Sequence, residues 1–223
     1  MRRGQLVAQH YFHCENQIVA RVRAPTAENV LRQLCEGSRQ SQQSRQATRP
    51  NGCEFNVSAS TQNTLWRLEN GELDDVNPKV IVILAGTNNL NSRSAAGENV
   101  AGTTNGLRAI ITLCQQKAPS AKIILTAIFP RNDHIDLLPR IDQINANIAK
   151  FADGKQIGFL NINDNLADKD GKLFDDVMVD KLHPTLKGYQ IWADGLKPIL
   201  TEILGPPATT DHAPPPTGDA SAK

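Results

Sequence analysis

The sequence has few cysteines, no excess of charge and no long apolar run, and each shortage excludes a class of protein. The four cysteines, at positions 14, 35, 53 and 114, form no C-x-x-C pair and have no histidines at zinc-finger spacing, so we expect no structural metal. Lys and Arg number 24 against 23 Asp and Glu, so no basic surface indicates nucleic acid. No apolar run is long enough to span a bilayer. A neutral small-molecule partner is therefore favoured.

The first residues, MRRGQLVAQHYFHCEN, are basic but lack the apolar segment and the small-residue cleavage site of a signal peptide. As written, the chain is expected to be soluble and not exported. Its 223 residues are enough for one α/β domain with a full core and short for two.

The stretch VIVILAGTNN at residues 80–89 is the most informative part of the sequence. Its apolar, largely β-branched run predicts a parallel strand that is buried on both faces. Gly86 allows a sharp turn, which leaves Thr87, Asn88 and Asn89 at the carboxyl end of the strand. Open α/β sheets bind their ligands at that end of the strands. We therefore look for chemistry at these residues.

Strand patterns alternate with helix patterns along the chain. We predict strands at 17–22, 79–85, 122–128 and 157–160, and helices at 26–35, 61–68, 96–117, 138–152 and 184–204. In the helix at 61–68 we expect Leu65, Trp66 and Leu68 to face inward. The alternation predicts right-handed crossovers and a parallel sheet with helices on both faces. Residues 37–50 contain no large apolar side chain and are predicted to be a loop, and residues 205–223 a Pro-rich tail.

A second informative motif, Asp180-Lys181-Leu182-His183-Pro184, comes directly before the last predicted helix. Pro184 suits the first position of that helix, which would place Asp180 and His183 together in the turn before it. A carboxylate on one ring nitrogen leaves the other nitrogen able to take a proton from a nucleophile. The alternative is that Asp180 caps the helix and His183 is an ordinary loop residue.

The two motifs together resemble the SGNH (GDSL-type) hydrolase family. The runs TQNTLWRLENGEL and VNPKVIVILAGTNN look like its platelet-activating-factor-acetylhydrolase-like branch, and the resemblance covers about Thr61 to Leu204. It implies a three-layer αβα sandwich with a parallel, flavodoxin-like sheet, here with an atypical first-strand region. It also implies hydrolysis of an ester without a cofactor.

The resemblance implies a role for three of these side chains. Asn88 would donate its amide to the oxyanion, His183 would be the general base, and Asp180 would be its partner. The block that contains Asn88 usually ends in Asp, and here that position is Asn89. The alternative for Asn88 is a turn residue that satisfies nearby backbone.

The family's nucleophile, the Ser of a Gly-Asp-Ser block, has no counterpart before Asn88. The serines in that part of the chain are Ser38, Ser41, Ser44, Ser58 and Ser60. Gly37-Ser38 is the pair most similar to that block. It follows a predicted helix, whereas the family's serine follows the first strand, so the nucleophile is unassigned. The Gly of the family's second block is also missing, since residues 57–60 read VSAS. Both of these losses lie before Thr61.

Three hypotheses explain these departures: residues 1–60 are translated from a shifted frame, the chain is a pseudoenzyme, or an unusual serine serves. A shifted frame would also leave export open, because a signal peptide would be lost with it. We expect an atypical, partly disordered segment at 1–60, a hydrolase-like domain at 61–204 and the tail at 205–223. The predicted function is a serine esterase acting on a small ester, lipid or acetylated sugar. The alternative is a non-catalytic binding or interaction module with the same fold.

One further motif, Asp168-Lys169-Asp170-Gly171, has a spacing close to that of a calcium loop. The first and twelfth ligand positions would be Leu166 and Val177, which carry no oxygen ligands. We therefore predict an exposed turn and no metal site.

Overall fold

The computed structural model describes residues 18–22, 60–74, 77–90 and 95–206, which contain four strands and four α-helices. The strands are β1 (Ile18–Val22), β2 (Val80–Leu84), β3 (Lys122–Thr126) and β4 (Ile157–Leu160). The helices are α1 (Thr61–Glu69), α2 (Ala96–Lys117), α3 (Leu138–Ala149) and α4 (Leu186–Leu204). Short 3-10 turns lie at Thr87–Asn89, Ile135–Leu137 and Asn163–Asn165. The helix predicted at 26–35 and the loop predicted at 37–50 lie outside the described residues.

The sheet has the strand order β1-β2-β3-β4. Strands β2, β3 and β4 are parallel, with Val80 opposite Lys122 and Ile123 opposite Ile157. Strand β1 is antiparallel to β2, with Ile18 opposite Leu84. The prediction of a parallel sheet is therefore confirmed for three strands and not for β1. The pattern of a five-residue strand contains no signal for its direction, because both kinds of ladder use the same alternation of side chains.

Two hydrophobic cores lie on opposite faces of the sheet, which makes the fold a three-layer α/β sandwich as predicted. Ile81 and Ile83 of β2 belong to the core under α1, α2 and α3. Val80, Val82 and Leu84 alternate with them and belong to the core under α4. All five side chains are buried because both faces of the strand are covered.

Helix α1 corrects one predicted orientation. Its buried face consists of Thr61, Thr64 and Leu68, Leu65 is half-buried, and the Trp66 side chain is 64% exposed. Trp66 lies two positions from both Thr64 and Leu68, which is about 200° around a helix of 3.6 residues per turn. The inward orientation predicted for Trp66 is therefore wrong, because its position around the helix axis is opposite the buried face.

The ends of α3 and α4 also differ from the prediction. Helix α3 ends at Ala149 instead of residue 152, and α4 begins at Leu186. The N-cap of α4 is Thr185, whose hydroxyl accepts a hydrogen bond from the Gly188 amide at 3.2 Å. Pro184 lies before this cap and pairs with Met178 in an isolated bridge, so it is not the first helical residue. Among the described helices, none combines the length and hydropathy that crossing a bilayer requires.

Candidate active site

Three loop segments meet at the carboxyl end of the parallel strands. We call residues 86–90 the β2 turn, residues 131–133 the brace, and residues 177–185 the α4 loop. The brace contacts both of the other segments. The Arg131 guanidinium donates to the Thr87 carbonyl at 3.3 Å, and the backbone N–H of Asn132 donates to the Lys181 carbonyl at 2.9 Å. The sequence analysis predicts functional residues at this end of the strands. The structure brings the two predicted motifs to the same end.

The β2 turn begins at Gly86, whose φ of 110° is in the left-handed region. A Cβ atom at this position would lie 2.7 Å from the Thr103 Cγ2 atom, so glycine is required both by conformation and by space. The backbone N–H of Asn89 then donates to the Gly86 carbonyl at 3.0 Å and closes the 3-10 turn. This turn buries Thr87 and exposes Asn88.

The two asparagines of the β2 turn have different environments. Within the described part of the chain, the Asn88 side chain has no hydrogen-bond partner. The Asn89 side chain accepts from the Thr61 amide at 2.8 Å and donates to the Thr61 hydroxyl at 3.1 Å and to the Gln62 side chain at 2.9 Å. Asn89 therefore attaches the start of α1 to the β2 turn, while Asn88 is exposed.

Asp180 and His183 form a hydrogen-bonded pair in the α4 loop. The Nδ1 atom of His183 lies 2.6 Å from Oδ2 of Asp180, and the other carboxylate oxygen accepts the His183 amide at 2.9 Å and the Leu182 amide at 3.2 Å. Burial tends to raise the pKa of Asp180, but the hydrogen bonds from His183 and Leu182 outweigh burial and hold that pKa below its ordinary value. The carboxylate is therefore ionised at neutral pH. Asp180 does not cap α4, since Thr185 does.

The α4 loop is closed by its own backbone. The Val179 amide donates to the His183 carbonyl at 2.8 Å, and the Thr185 amide donates to the Val177 carbonyl at 3.0 Å. Lys181, between the two members of the pair, has a φ of 67°, which is a strained conformation for a residue other than glycine. The loop thus turns sharply enough for the Asp180 carboxylate to reach the His183 ring.

The brace is the part of the site that the sequence analysis missed. The Arg131 side chain is 6% exposed and forms a forked ion pair with Asp133, with Nε to Oδ1 at 2.7 Å. Burial tends to raise the pKa of Asp133, but the hydrogen bond and charge of Arg131 lower it below its ordinary value. A signal existed in the sequence, because these residues follow β3 as Thr87–Asn89 follow β2.

A small, mostly apolar pocket lies between these segments. Its lining residues are Leu84, Ala85, Thr87, Ile128, Phe129 and Leu182. Two of these residues are chain neighbours of the candidate groups: Thr87 precedes Asn88, and Leu182 precedes His183. The Phe129 ring is fixed by an edge-on contact with Trp192, with ring centroids 5.7 Å apart.

The structure does not assign a nucleophile. Ser60 is the N-cap of α1, and its hydroxyl accepts from the Asn63 amide at 3.4 Å. Ser38 and Ser58 lie outside the described residues. The candidate pair and Asn88 are therefore placed, while the attacking group stays unassigned.

The predicted turn at 168–171 is confirmed. The Asp168 carboxylate accepts hydrogen bonds from the Asp170 amide at 3.0 Å and the Lys172 amide at 2.9 Å, and Gly171 has a φ of 76°. One of its oxygens is thus used within the turn itself.

A family profile and individual relatives both match this chain. The sequence profile described as the GDSL-like Lipase/Acylhydrolase family matches residues 19–191. Platelet-activating factor acetylhydrolase IB subunit alpha1 of Homo sapiens is 32% identical over 146 residues, which are 65% of this chain and 61% of that protein. The chain therefore matches less than two thirds of the length of this relative.

Solved structures show the same fold. A GDSL-like lipase from Bacteroides thetaiotaomicron superposes with a TM-score of 0.53 and 23% identity, over 64% of this chain and 71% of that one. A carbohydrate esterase family 3 structure from Talaromyces cellulolyticus gives a TM-score of 0.55 and 15% identity, over 80% of this chain and 91% of that one. At these identities the likeness is one of fold. The family profile is described in terms of lipases and acylhydrolases.

Proposed function

Because the chain belongs to the GDSL-like lipase/acylhydrolase family, we propose that it hydrolyses small acyl esters with His183 as general base, Asp180 as its partner and Asn88 as an oxyanion donor. The observation that carries the assignment is the 2.6 Å contact between Nδ1 of His183 and Oδ2 of Asp180. The domain that performs this reaction would span residues 61–204, together with a serine that is still unassigned.

The proposed proton transfers follow from the geometry of the pair. When the Nδ1–H group donates a hydrogen bond to Asp180 and keeps its proton, Nε2 of the neutral ring carries the lone pair and acts as the base. It accepts the serine proton as the serine oxygen bonds to the carbonyl carbon, and it returns this proton to the departing alcohol. Water then attacks the acyl-serine with the same assistance and releases the acid. Asp180 remains ionised throughout and stabilises the charged imidazole.

Asn88 is suited to stabilise the tetrahedral intermediate. Its neutral amide is exposed at the end of β2, and the turn that carries it is held by Asn89 and by the brace. A donor held in place before the reaction costs no reorganisation when charge develops on the oxygen. The human relative is named an acetylhydrolase, which favours acetyl as the group that the reaction removes. The alcohol would belong to a small ester, a lipid or an acetylated sugar.

The test is hydrolysis of p-nitrophenyl acetate by the full chain and by His183→Ala. We expect loss of about 10⁴-fold or more in kcat, because the members of such a triad act as a unit. The matched control is His134→Ala, since His134 also lies beside a carboxylate: its Nδ1 atom is 3.9 Å from Oδ1 of Asp136. The control should keep full activity.

The nucleophile is sought separately, with a fluorophosphonate that labels an activated serine, followed by peptide mass spectrometry. Ser38→Ala, Ser58→Ala and Ser60→Ala then identify the labelled position. Hydrolysis that survives His183→Ala would refute the assignment of the base. A wild-type chain without hydrolysis and without label would favour the non-catalytic module or a shifted frame in residues 1–60.

A further inference from the structure

The segment after β3 is anchored before the brace begins. The Asn145 side chain accepts from the Ile128 amide at 2.8 Å and donates to the Ile128 carbonyl at 2.9 Å, so it satisfies both backbone groups of one residue. Asn163 donates to the same carbonyl at 3.0 Å. Asn145 is buried, which makes these hydrogen bonds costly to break. The backbone that leads into the brace is therefore fixed by α3 and by the turn after β4.

Arg131 and Asn132 then reach opposite sides of the site. The Arg131 Nη1 atom donates to the carbonyl of Thr87, the residue before Asn88. The backbone N–H of Asn132 donates to the carbonyl of Lys181, which lies between Asp180 and His183 in the chain. Two adjacent residues thus contact the two segments that carry the candidate catalytic groups.

The side chains of the brace are themselves constrained. Asp133 receives two hydrogen bonds from the buried Arg131 fork, which fixes the plane of the guanidinium. The Asn132 side chain donates to the Gly171 carbonyl at 2.8 Å and accepts from the Leu173 amide at 2.8 Å. Rotation of the Arg131 side chain would break its contacts with Thr87 and Asp133, and rotation of the Asn132 side chain would release residues 131–133 from the turn at 171–173.

We infer that residues 131–133 are positioning residues, which set the distance between the Asn88 amide and the His183 ring. The inference rests on the proposed function, because the distance matters only if these two groups act on one carbonyl. A displacement of about 1 Å at a reacting group can cost about 100-fold in rate. The brace would therefore control kcat without contacting the substrate.

The first test compares Arg131→Lys and Asp133→Asn with wild type on p-nitrophenyl acetate. Lysine keeps the charge but loses the fork, and asparagine keeps the shape of the acceptor but loses its charge. We expect kcat to fall by about 10- to 100-fold, the range that a misplaced catalytic group produces, with KM within about threefold. Titration with the fluorophosphonate corrects each rate for the folded, active fraction. Arg140→Lys is the control, because Arg140 of α3 donates to Asn99 of α2 and does not contact the β2 turn or the α4 loop in any hydrogen bond that the described residues show.

The second test does not depend on activity. Amide hydrogen exchange is followed by NMR at Asn89 and Leu90, whose amides close the β2 turn onto Gly86 and Thr87. Exchange at these two amides should accelerate at least tenfold in both brace variants and not in Arg140→Lys. Amides of α2 should be unchanged in all of them.

The outcomes separate the two proposals. Unchanged kcat per active site, or a loss explained entirely by a smaller folded fraction, overturns the positioning role. Unchanged exchange at Asn89 and Leu90 overturns it as well. If wild type shows no hydrolysis, the proposed function fails. Faster exchange in the variants would still show that the brace stabilises the β2 turn. Unchanged exchange would refute that stabilisation.

Discussion

The β2 turn and the α4 loop present candidate catalytic groups at the same edge of the sheet, but they are held in different ways. In the α4 loop the decisive contact joins residues three positions apart, and the loop closes through its own backbone. In the β2 turn the supporting side chains come from far along the chain: the Asn89 contact spans 28 residues and the Arg131 contact spans 44. The acid-base pair is a local structure, and the placement of Asn88 is a tertiary one.

This difference has consequences for how each part fails. A change within the α4 loop should remove one chemical function and leave the fold intact. A change in the supports of the β2 turn should affect stability and activity together, since the same contacts hold α1 and the sheet. The following predictions test that distinction.

The largest effect is expected from Asp180→Asn. The side-chain amide cannot stabilise the charged imidazole and favours the wrong tautomer of His183, so kcat should fall by about 10⁴-fold. The thermal unfolding midpoint should change by only a few degrees, because the carboxylate is partly exposed. The measurements are steady-state hydrolysis and calorimetry. A loss below tenfold would mean that the pair is not the acid-base element.

Asn88→Ala is expected to lower kcat by about 10²- to 10³-fold, the range for loss of one oxyanion donor. Stability should change by no more than about 0.5 kcal/mol, because the Asn88 side chain is exposed.

Asn89→Ala is the matched comparison for Asn88→Ala. It removes three hydrogen bonds to the start of α1 and should cost about 1–3 kcal/mol of unfolding free energy, measured by urea denaturation. If the two variants gave the same ratio of activity loss to stability loss, the separate roles of the neighbouring asparagines would be refuted.

Gly86→Ala tests the turn itself. An alanine would need a left-handed conformation and would place its Cβ 2.7 Å from the Thr103 side chain, so we expect a loss of roughly 2–3 kcal/mol from strain and overpacking together. Gly154→Ala is the control for conformation alone, because Gly154 has a φ of 65° and open space around it. The control should cost only about 1 kcal/mol. Equal losses at the two positions would show that contact with Thr103 is unimportant.

The smallest effect concerns pH. The pKa of Asp180 is lower in the folded chain than in the unfolded chain, so its contribution to stability is present above the unfolded value of about 3.9 and is lost as pH falls through the folded value. The difference in unfolding free energy between wild type and Asp180→Asn should therefore shrink as the pH is lowered from 5 to 2.5. Urea denaturation at several pH values measures it. A difference that does not vary with pH would contradict the lowered pKa.

Much of the fold was predictable because its signals are local. The apolar run of β2, the helical spacing of α2 and the short apolar stretch of β4 each identify an element without reference to the rest of the chain. The direction of β1 and the exposure of Trp66 were not predictable in this way. The first depends on pairing partners, and the second depends on which face of α1 meets the sheet.

The candidate site divides along the same line. The spacing of Asp180 and His183 predicts that a carboxylate lies near an imidazole, and the local turn, with Lys181 in the left-handed region, brings the two into contact. Nothing in the residues near Arg131 indicates that its guanidinium reaches the Thr87 carbonyl. That contact requires two parallel strands to end side by side. The sequence determined the chemical groups and their local pairs, and the tertiary structure decided their distances, because only packing brings distant turns to one edge of the sheet.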